Sequence, residues 1–358
     1  MAKNKQEISG KSKLESYLKD NSQFHYAFDE EIDYVVSSGS LVMDIEMGGG
    51  IRPGIIRSSG LTEGGKTSNA LSFARNFQIL NQEKGQVIYI KSEGRLGKEI
   101  LERSGVDTDP SKFRVIPTND YEFVIDMMRT LIKENEEGKI YFFIIDSLDA
   151  LVPRNDLAKS ATEANKTAGA ALLTSDLLRK MAAGFSSRGH ICFIISQVRS
   201  SIQINPYQKG DPKITNASGG NAALHYSDWI LEFQQRYQKD LIKDKDDKIV
   251  GHWCKIIFKK TPNEKTGTEV KYPIKYGRKN GQSIWIEYEV IDSLLMFEMI
   301  SAKGAWVTVS DEVITEVESS GLKIEKQHQG IDNFRMYLES NPDLCKFFFN
   351  KFKSALKK

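Results

Sequence analysis

The sequence predicts an α/β protein with a mostly parallel sheet, helices on both faces of that sheet and an antiparallel extension. Three observations support this class. Up to Ser196, apolar runs rich in β-formers alternate with helical patterns, and a glycine-rich loop joins one such run to a helix. After Trp229, short strand-like runs follow one another with little helix between them. Continuous apolar runs are typical of parallel strands that are buried on both faces.

The individual elements follow from run length and from the spacing of apolar residues. The predicted strands of the first region are Val87–Lys91, Arg114–Pro117, Ile140–Asp146 and Ile191–Ser196. The predicted helices are Ser68–Leu80, Tyr121–Asn135 and Ala168–Phe185. The runs that predict the antiparallel extension are Trp229–Phe233, Trp253–Phe258, Val270–Ile274 and Ser283–Tyr288. Strands joined by helices run in the same direction, so the first region predicts parallel pairing.

Composition indicates a globular protein with a sizeable core, because 40% of the 358 residues are hydrophobic. The formal net charge is only +2, so a nucleic-acid partner would have to meet local basic patches. The 3 cysteines are widely separated, which argues against a disulfide framework or a zinc site. Apolar runs are strand-sized, and the polar segment Met1–Lys13 lacks the pattern of a secretion signal. We therefore expect a cytoplasmic protein without a membrane partner.

The most informative motif is Gly60–Thr67, which reads Gly-Leu-Thr-Glu-Gly-Gly-Lys-Thr and lies between the apolar run Gly54–Ser58 and a predicted helix. Glycines let backbone N–H groups surround phosphates, Lys66 supplies a positive charge, and the Thr67 hydroxyl can bind Mg²⁺. The alternative is a glycine-rich turn before an ordinary helix, but the apolar run before the loop and the helix pattern after it favour a phosphate-binding loop. We predict that a nucleoside triphosphate binds here. The predicted contacts are Gly60, Leu61, Thr62, Glu63, Gly64, Gly65, Lys66, Thr67 and Ser68.

Two carboxylates follow predicted strands and are candidates for the same site. Asp146 ends the apolar run Ile140–Asp146, where an acidic residue can orient the Mg²⁺ shell beside the phosphates. Glu93 follows Val87–Lys91, and a carboxylate there could polarise the attacking water. A turn or cap role for Asp146 and a solvated loop role for Glu93 remain the alternatives.

A glutamine at the end of another strand is the third candidate. Gln197 follows the run Ile191–Ser196, and an amide beside a γ-phosphate can both donate and accept hydrogen bonds. The polar segment from Ser200 to Asn216 comes next, and it is long for a loop in a compact domain. Gln197 could therefore couple the state of the phosphate to a second ligand.

These motifs together resemble the RecA family of DNA strand-exchange ATPases, in order and in rough spacing. The matching segments are Gly60–Thr67, Ser92–Glu93, Ile144–Leu148, Ser196–Arg199 and Gly219–Leu224. The entry segment Ser38–Ile45 and the late segment Lys303–Trp306 also resemble bacterial members, so the likeness covers about Ser38 to Val309. The pair Ser92–Glu93 and the short chain resemble phage members.

The resemblance implies a RecA-like P-loop ATPase core and an ATP-dependent homologous recombinase. Such a protein forms helical filaments on single-stranded DNA, pairs it with double-stranded DNA, and hydrolyses ATP with Mg²⁺ between neighbouring subunits. Single-strand-binding and loader proteins are further partners that the resemblance suggests.

Roles carry over by position. Lys66, Glu93 and Gln197 would be catalytic, as phosphate clamp, general base and γ-phosphate sensor, while Thr67 and Asp146 would form the metal site. Lys259 and Lys260 match lysines that reach the neighbouring subunit's ATP. The implied DNA contacts are Ser175, Arg179, Arg199, Gly219, Gly220 and Asn221, and the implied DNA loops are Asp156–Thr167 and Val198–Asn216.

The chain also departs from the family pattern. Its phosphate loop carries Leu61, Gly64 and Gly65 in place of the usual Pro and Ser pair, which raises backbone flexibility. Ile100 stands where bacterial members stack a tyrosine on adenine. The end of the chain is basic, and its phenylalanines Phe347, Phe348 and Phe352 favour packing within a small domain over a DNA-gathering role for the lysines.

The predicted organisation has three parts. An N-terminal polymerisation arm covers residues 1–34, an ATPase core with two DNA loops covers 35–290, and a small helical domain with a basic end covers 291–358. Two other functions remain open at this point: a hexameric helicase motor built on the same core, and an ATP-gated recombination mediator without significant turnover.

Overall fold

A computed structural model describes residues 32–94, 96–135, 138–157, 168–197 and 225–356, together with Ser16. Most of the predicted arm, residues 1–34, lies outside this part of the chain, and so do residues 158–167 and 198–224 of the predicted DNA loops. No helix within the described ranges is long and apolar enough to cross a membrane.

Nine strands of the described residues form one sheet with the order β3-β2-β4-β5-β1-β6-β8-β7, in which β9 pairs with β8. The strands are β1 Gly54–Gly60, β2 Gly85–Lys91, β3 Phe113–Pro117, β4 Ile140–Asp146, β5 Ile191–Gln197, β6 Trp229–Phe233, β7 Leu241–Lys243, β8 Ile249–Lys260 and β9 Glu269–Lys275. The first six strands pair in parallel, whereas β6 with β8, β7 with β8 and β8 with β9 are antiparallel. The predicted parallel sheet with an antiparallel extension is therefore confirmed.

The helices precede or follow these strands along the chain. They are α1 Leu41–Met47, α2 Lys66–Asn81, α3 Lys98–Ser104, α4 Tyr121–Lys133, α5 Arg154–Leu157, α6 Ala168–Ser187, α7 Ile286–Met296, α8 Asp311–Ser319, α9 Ile331–Ser340 and α10 Pro342–Ala355. Helix α4 illustrates the local rules. Asp120 caps its first turn by accepting a hydrogen bond from the Phe123 backbone N, and buried apolar side chains recur every three or four residues along one side.

Apolar side chains alternate between the two faces of the sheet, as the period of a strand requires. On β4, Phe142 packs with α1 and α2 on one face, and its neighbour Phe143 packs with α4 and α6 on the other. On β1, Ile56 belongs to the same apolar cluster as Phe142, and its neighbour Ile55 belongs to the cluster of Phe143 on the opposite face. The predicted covering of both faces by helices is thus confirmed, and it leaves the ends of the parallel strands as the place for polar side chains.

A third apolar cluster joins the C-terminal elements to the start of the core. It contains Leu41 of α1, residues of α7 to α10, and residues of a small antiparallel sheet. That sheet comprises β10 Ile300–Lys303, β11 Trp306–Val309 and β12 Gln327–Gln329. In this cluster Phe348 and Phe352 are buried and Phe347 is partly buried, as their spacing predicts. Helix α7 spans the proposed boundary at residue 290, which remains a prediction.

One predicted strand is wrong. Ser283–Tyr288 does not form a strand, because only Ile284 makes an isolated bridge to Ile274 and α7 begins at Ile286. The reason is tertiary: Glu289 accepts hydrogen bonds from Ser40 Oγ at 2.6 Å and from the Leu41 N at 2.7 Å, while Val290 and Leu294 are buried one turn apart. Helical geometry brings these side chains to one face, and a strand would separate them.

Candidate nucleotide-binding site

The predicted site residues meet at one edge of the sheet, where the parallel strands end. In the strand register Gly60 lies opposite Gln197, and Asp146 lies opposite both Lys91 and Ile195. The ends of β1, β2, β4 and β5 therefore bring the phosphate loop, Glu93, Asp146 and Gln197 together. This edge is the usual ligand position in an open α/β sheet.

The phosphate loop depends on two glycines. Gly60 has a φ of 139°, and a Cβ there would lie 2.3 Å from the Phe233 carbonyl oxygen. Gly65 has a φ of 103° and precedes the first residue of α2 without any side-chain cap. A larger side chain would be strained at either position. The backbone N–H groups of the first turn of α2 therefore remain available to an anion, as at other helix N-termini that bind phosphate.

Lys66 is held over the loop with its charge largely out of water. Its side chain is buried, and its Nζ donates to the Gly60 carbonyl at 2.9 Å and to the Leu61 carbonyl at 2.6 Å. Burial lowers the pKa of Lys66, and the charges of Asp146, Glu93 and Asp149 oppose that change. An ammonium group held by neutral carbonyls can transfer its hydrogen bonds to phosphate oxygens, because charged acceptors bind it more strongly.

Thr67 and Asp146 are in direct contact. The Thr67 Oγ1 donates to Asp146 Oδ2 at 3.0 Å, and the Tyr89 hydroxyl donates to the same oxygen. Burial raises the pKa of Asp146, while the hydrogen bonds from Tyr89 and Thr67 act in the opposite direction. The two donors thus stabilise a partly buried carboxylate beside the first turn of α2.

A hydroxyl and a carboxylate at this position fit a magnesium ion. Mg²⁺ prefers oxygen ligands and usually keeps several waters while it binds substrate phosphates, so a site needs few protein ligands. Among the described residues no group of three or more His, Cys, Asp or Glu is arranged to hold a metal by itself. Thr67 and Asp146 therefore suit an ion that arrives with a nucleotide.

Glu93 and Gln197 are also in contact. The Gln197 Nε2 donates to Glu93 Oε1 at 2.7 Å, and the Glu93 side chain is exposed to solvent. The backbone N–H groups of Ser92 and Glu93 donate to the Asp146 carbonyl at 3.0 and 3.4 Å, which holds this segment against the end of β4. A carboxylate open to water can accept a proton from it, and an amide beside it can both donate and accept hydrogen bonds.

A cavity of about 600 Å³ adjoins the phosphate loop, and its size suits a small ligand. Ile100 and Arg103 of α3 line one part, and Arg236, His252 and Tyr276 of the antiparallel extension line another. Arg236 donates to the Tyr276 hydroxyl at 3.3 Å and lies 3.6 Å from the Glu63 carboxylate of the loop. Burial and the charges of both arginines lower the pKa of His252 to about 4, so its imidazole is neutral at pH 7.

Lys259 and Lys260 lie apart from the phosphate loop of their own chain. Lys260 is in register with Ile230, which pairs with Arg57 rather than with Gly60 at the end of β1. Lys259 lies 3.5 Å from Glu232, and the Lys260 Nζ donates to the His225 carbonyl at 2.8 Å.

The predicted DNA contacts are described only in part. Ser175 and Arg179 lie four residues apart on α6, Ser175 partly buried and Arg179 exposed, so that they share one side of the helix. Arg199, Gly219, Gly220 and Asn221 lie outside the described residues.

Several residues that border the site were not predicted from the sequence. Tyr89, Arg57 and Asp149 lie beneath it, and Arg236 and His252 reach the cavity from the extension. A signal was present only for Arg57, which is a charged residue within an otherwise apolar or small strand. The others become visible only when strands that are distant in sequence are placed side by side.

Together the fold and this edge define an α/β nucleotide-binding protein with a phosphate loop at the end of its central strand. Comparison with known proteins identifies the family: the model of the RecA N-terminal domain matches residues 19–279. The chain therefore belongs to the RecA family, which confirms the resemblance drawn from its motifs.

Full-length relatives agree with this assignment. The chain is 29% identical over 311 residues to Protein RecA of Rickettsia bellii, strain RML369-C, covering 86% of this chain and 80% of the relative. It is 27% identical over 312 residues to Protein RecA of Cutibacterium acnes, covering 87% and 80%. It is 28% identical over 313 residues to Protein RecA of Nitrobacter winogradskyi, covering 87% and 76%.

Proposed function

We propose that this protein is an ATP-dependent homologous recombinase, which forms helical filaments on single-stranded DNA and pairs them with homologous duplex DNA. Family membership supports recombination as the broad function. The observation that carries the finer proposal is the 2.7 Å hydrogen bond between Gln197 and Glu93. This bond connects Glu93, which is proposed to activate water, with Gln197, which immediately precedes the segment 198–224 in the sequence.

ATP would bind with its phosphates against the backbone of Gly60–Thr67 and its nucleoside toward the cavity lined by Ile100. Lys66 exchanges its bonds to loop carbonyls for bonds to phosphate oxygens, which stabilises the charge that develops during phosphoryl transfer. Thr67 and Asp146 would hold Mg²⁺, which supplies further neutralisation of phosphate charge when it is bound.

Glu93 acts as the general base in this proposal, since its carboxylate is exposed and can accept a proton from a water molecule at the nucleotide. While it accepts a hydrogen bond from Gln197, that oxygen is partly occupied. A γ-phosphate offers the Gln197 amide a more highly charged acceptor. Movement of the amide toward it would release the Glu93 oxygen and change the start of the segment at residue 198.

DNA binding would be largely independent of sequence. The proposed contacts from Ser175 and Arg179, and from Arg199, Gly219, Gly220 and Asn221, are a hydroxyl, guanidinium groups, an amide and backbone N–H groups that suit phosphate oxygens. We therefore expect the affinity for single-stranded DNA to fall steeply as salt rises. Lys259 and Lys260 are proposed to contact ATP held by the neighbouring subunit of the filament.

Electron microscopy with single-stranded DNA and a slowly hydrolysed ATP analogue tests this function. Helical filaments that disappear in ADP, together with joint-molecule formation from homologous duplex DNA, are the expected result. Rings with directional unwinding would indicate a helicase motor and would overturn the proposal. Nucleotide binding without assembly or turnover would indicate a mediator and would overturn it as well.

A further inference from the structure

Two residues of opposite charge, Arg57 and Asp149, form hydrogen bonds with the end of β5. Arg57 of β1 is 2% exposed, and its Nε donates to Ser196 Oγ at 3.2 Å. Asp149, in the turn after β4, accepts a hydrogen bond from the Gln197 backbone N at 2.5 Å. The last two residues of β5 are therefore each held by one member of the pair.

The charges of this pair also act on one another and on the phosphate loop. Burial lowers the pKa of Arg57, and the negative charge of Asp149 opposes that change. Asp149 is also one of the three carboxylates that act on Lys66. Its second oxygen, Oδ1, is buried and has no hydrogen-bond partner within the described part of the chain. Within the described residues, the hydrogen bond from the Gln197 backbone N is therefore the one that the Asp149 carboxylate accepts.

Gln197 is thus held at two points of different character. Its side-chain amide bonds to Glu93, an exposed partner that a phosphate can replace, whereas its backbone N bonds to Asp149 from the interior. The side chain can change partner while the backbone stays attached. A fixed backbone matters for coupling, because a side chain that changes partner on a fixed backbone must change its own torsion angles, whereas a free residue could absorb the change by moving as a whole.

We infer that Asp149, with its charge balanced by Arg57, is a positioning residue that fixes the backbone of Gln197, so that the amide responds to the nucleotide and passes that response to the DNA-binding segment. This inference rests on the proposed function. In this role Asp149 acts through the Gln197 backbone, so its effect is on coupling rather than on nucleotide affinity.

Two substitutions of Asp149 separate this role from simple charge balance. Asp149→Asn keeps an oxygen acceptor at the same distance but removes the charge that faces Arg57. Asp149→Glu keeps the charge but moves the acceptor by one methylene group. A positioning role predicts that Asp149→Glu is the more damaging change, and a charge-balancing role predicts the reverse.

The measurement is the ratio of single-stranded DNA affinities with a slowly hydrolysed ATP analogue and with ADP, determined by fluorescence anisotropy on the full chain. Loss of the hydrogen bond to the Gln197 backbone predicts that Asp149→Glu, which moves the acceptor, lowers this ratio about tenfold. Asp149→Asn keeps an acceptor at the same distance and should lower it by less than about threefold. Affinity for a fluorescent ATP analogue should stay within about twofold in both variants, since neither removes a phosphate contact. Asp126→Ala, an exposed aspartate on α4, is the matched control and should leave the ratio unchanged.

The outcomes are distinguishable. A wild-type protein whose DNA affinity is the same with both nucleotides would refute the proposed function and this inference with it. A wild-type protein that discriminates between them, with Asp149→Glu equally discriminating or less affected than Asp149→Asn, would refute only the inference. Thermal unfolding of each variant shows whether the comparison is made on folded protein, and the greater effect of the charge-retaining variant does not follow from a general loss of stability.

Discussion

The phosphate-loop edge and the junction between α1 and α7 both bury ionisable side chains, but the hydrogen-bond partners of those side chains differ. At the junction, Asp44 accepts hydrogen bonds from Ser37 Oγ, Ser38 N and Ser38 Oγ, and Glu289 accepts from Ser40 and Leu41. These bonds come from the protein itself and link the start of the core to the C-terminal elements.

At the phosphate-loop edge, some buried polar groups have hydrogen-bonding capacity that the described residues do not use. Among the described residues, Lys66 donates to neutral loop carbonyls while three carboxylates act on its charge, and Ser147 Oγ and Asp149 Oδ1 are buried without partners. Unused donors and acceptors cost stability unless a ligand meets them. At this edge, buried ionisable groups are accompanied by unused hydrogen-bonding capacity, whereas at the junction the protein itself supplies the partners.

The largest effect is expected for Lys66→Ala at the phosphate-loop edge. Removing the positive charge of the phosphate loop should lower the ATP turnover number by roughly 10³–10⁵, the range that an arginine finger contributes in phosphoryl transfer. A steady-state ATPase assay with single-stranded DNA measures it, with the exposed lysine variant Lys84→Ala as control. Turnover close to that of the wild type would remove Lys66 from the site.

Glu93→Gln should lower turnover by about 10²–10⁴ while nucleotide binding is retained, because an amide does not accept the proton of the attacking water. Single-turnover kinetics separates the chemical step from binding. Glu83→Gln changes an exposed glutamate at the other end of β2 and should leave both steps unaffected. If Glu93→Gln hydrolysed ATP at the wild-type rate, another group would have to be the base.

The junction should respond in stability instead of turnover. Burial raises the pKa of Glu289 from 4.5 to about 8, so between these values the folded protein holds a proton that the unfolded chain has released. Stability from this group is therefore present below pH 4.5 and is lost as the pH rises toward 8. The side chain introduced by Glu289→Gln does not titrate. The denaturation midpoint of this variant should therefore change less between pH 4.5 and 8 than that of the wild type.

Urea denaturation across that pH range measures the effect, which should amount to a few kcal/mol. Asp44, whose pKa burial raises to about 6, leaves some pH dependence in the variant below that value. Parallel pH profiles for wild type and Glu289→Gln would show that Glu289 is charged in the folded protein. ATP turnover per folded molecule at pH 5 should be similar in both, since Glu289 lies outside the nucleotide site.

Tyr89→Phe is the smallest of these changes and returns to the nucleotide site. It removes one of the two donors that stabilise the Asp146 carboxylate, so the pKa of Asp146 should rise further. Loss of one hydrogen bond to a charged group predicts about a tenfold higher Mg²⁺ requirement for ATP turnover. A magnesium titration of the ATPase rate measures it. Tyr337→Phe removes a hydroxyl in the C-terminal part, and an equal shift there would contradict the assignment.

Much of the fold follows from local pattern. Ile140–Asp146 and Trp229–Phe233 form strands with the predicted bounds, because continuous apolar runs of that length suit a sheet covered on both faces. Ser283–Tyr288 failed as a strand because Glu289 is drawn into hydrogen bonds with Ser40 and Leu41, far away in the sequence. The pattern of apolar residues over these six positions carries no information about that long-range contact, so it could not predict the helix.

The chain's own residues determined which chemistry is available: the phosphate loop, the carboxylates that end strands and the glutamine at the end of β5 are visible as residue types at set positions. Tertiary structure alone decided which of them touch. The contact of Gln197 with Glu93, the donation of Tyr89 to Asp146 and the attachment of Gln197 to Asp149 all depend on strand order and register. Neighbouring strands are joined by hydrogen bonds between their backbones, and nearly every sequence can form such bonds. The residues that lie beside a strand end are therefore set by how the whole chain packs.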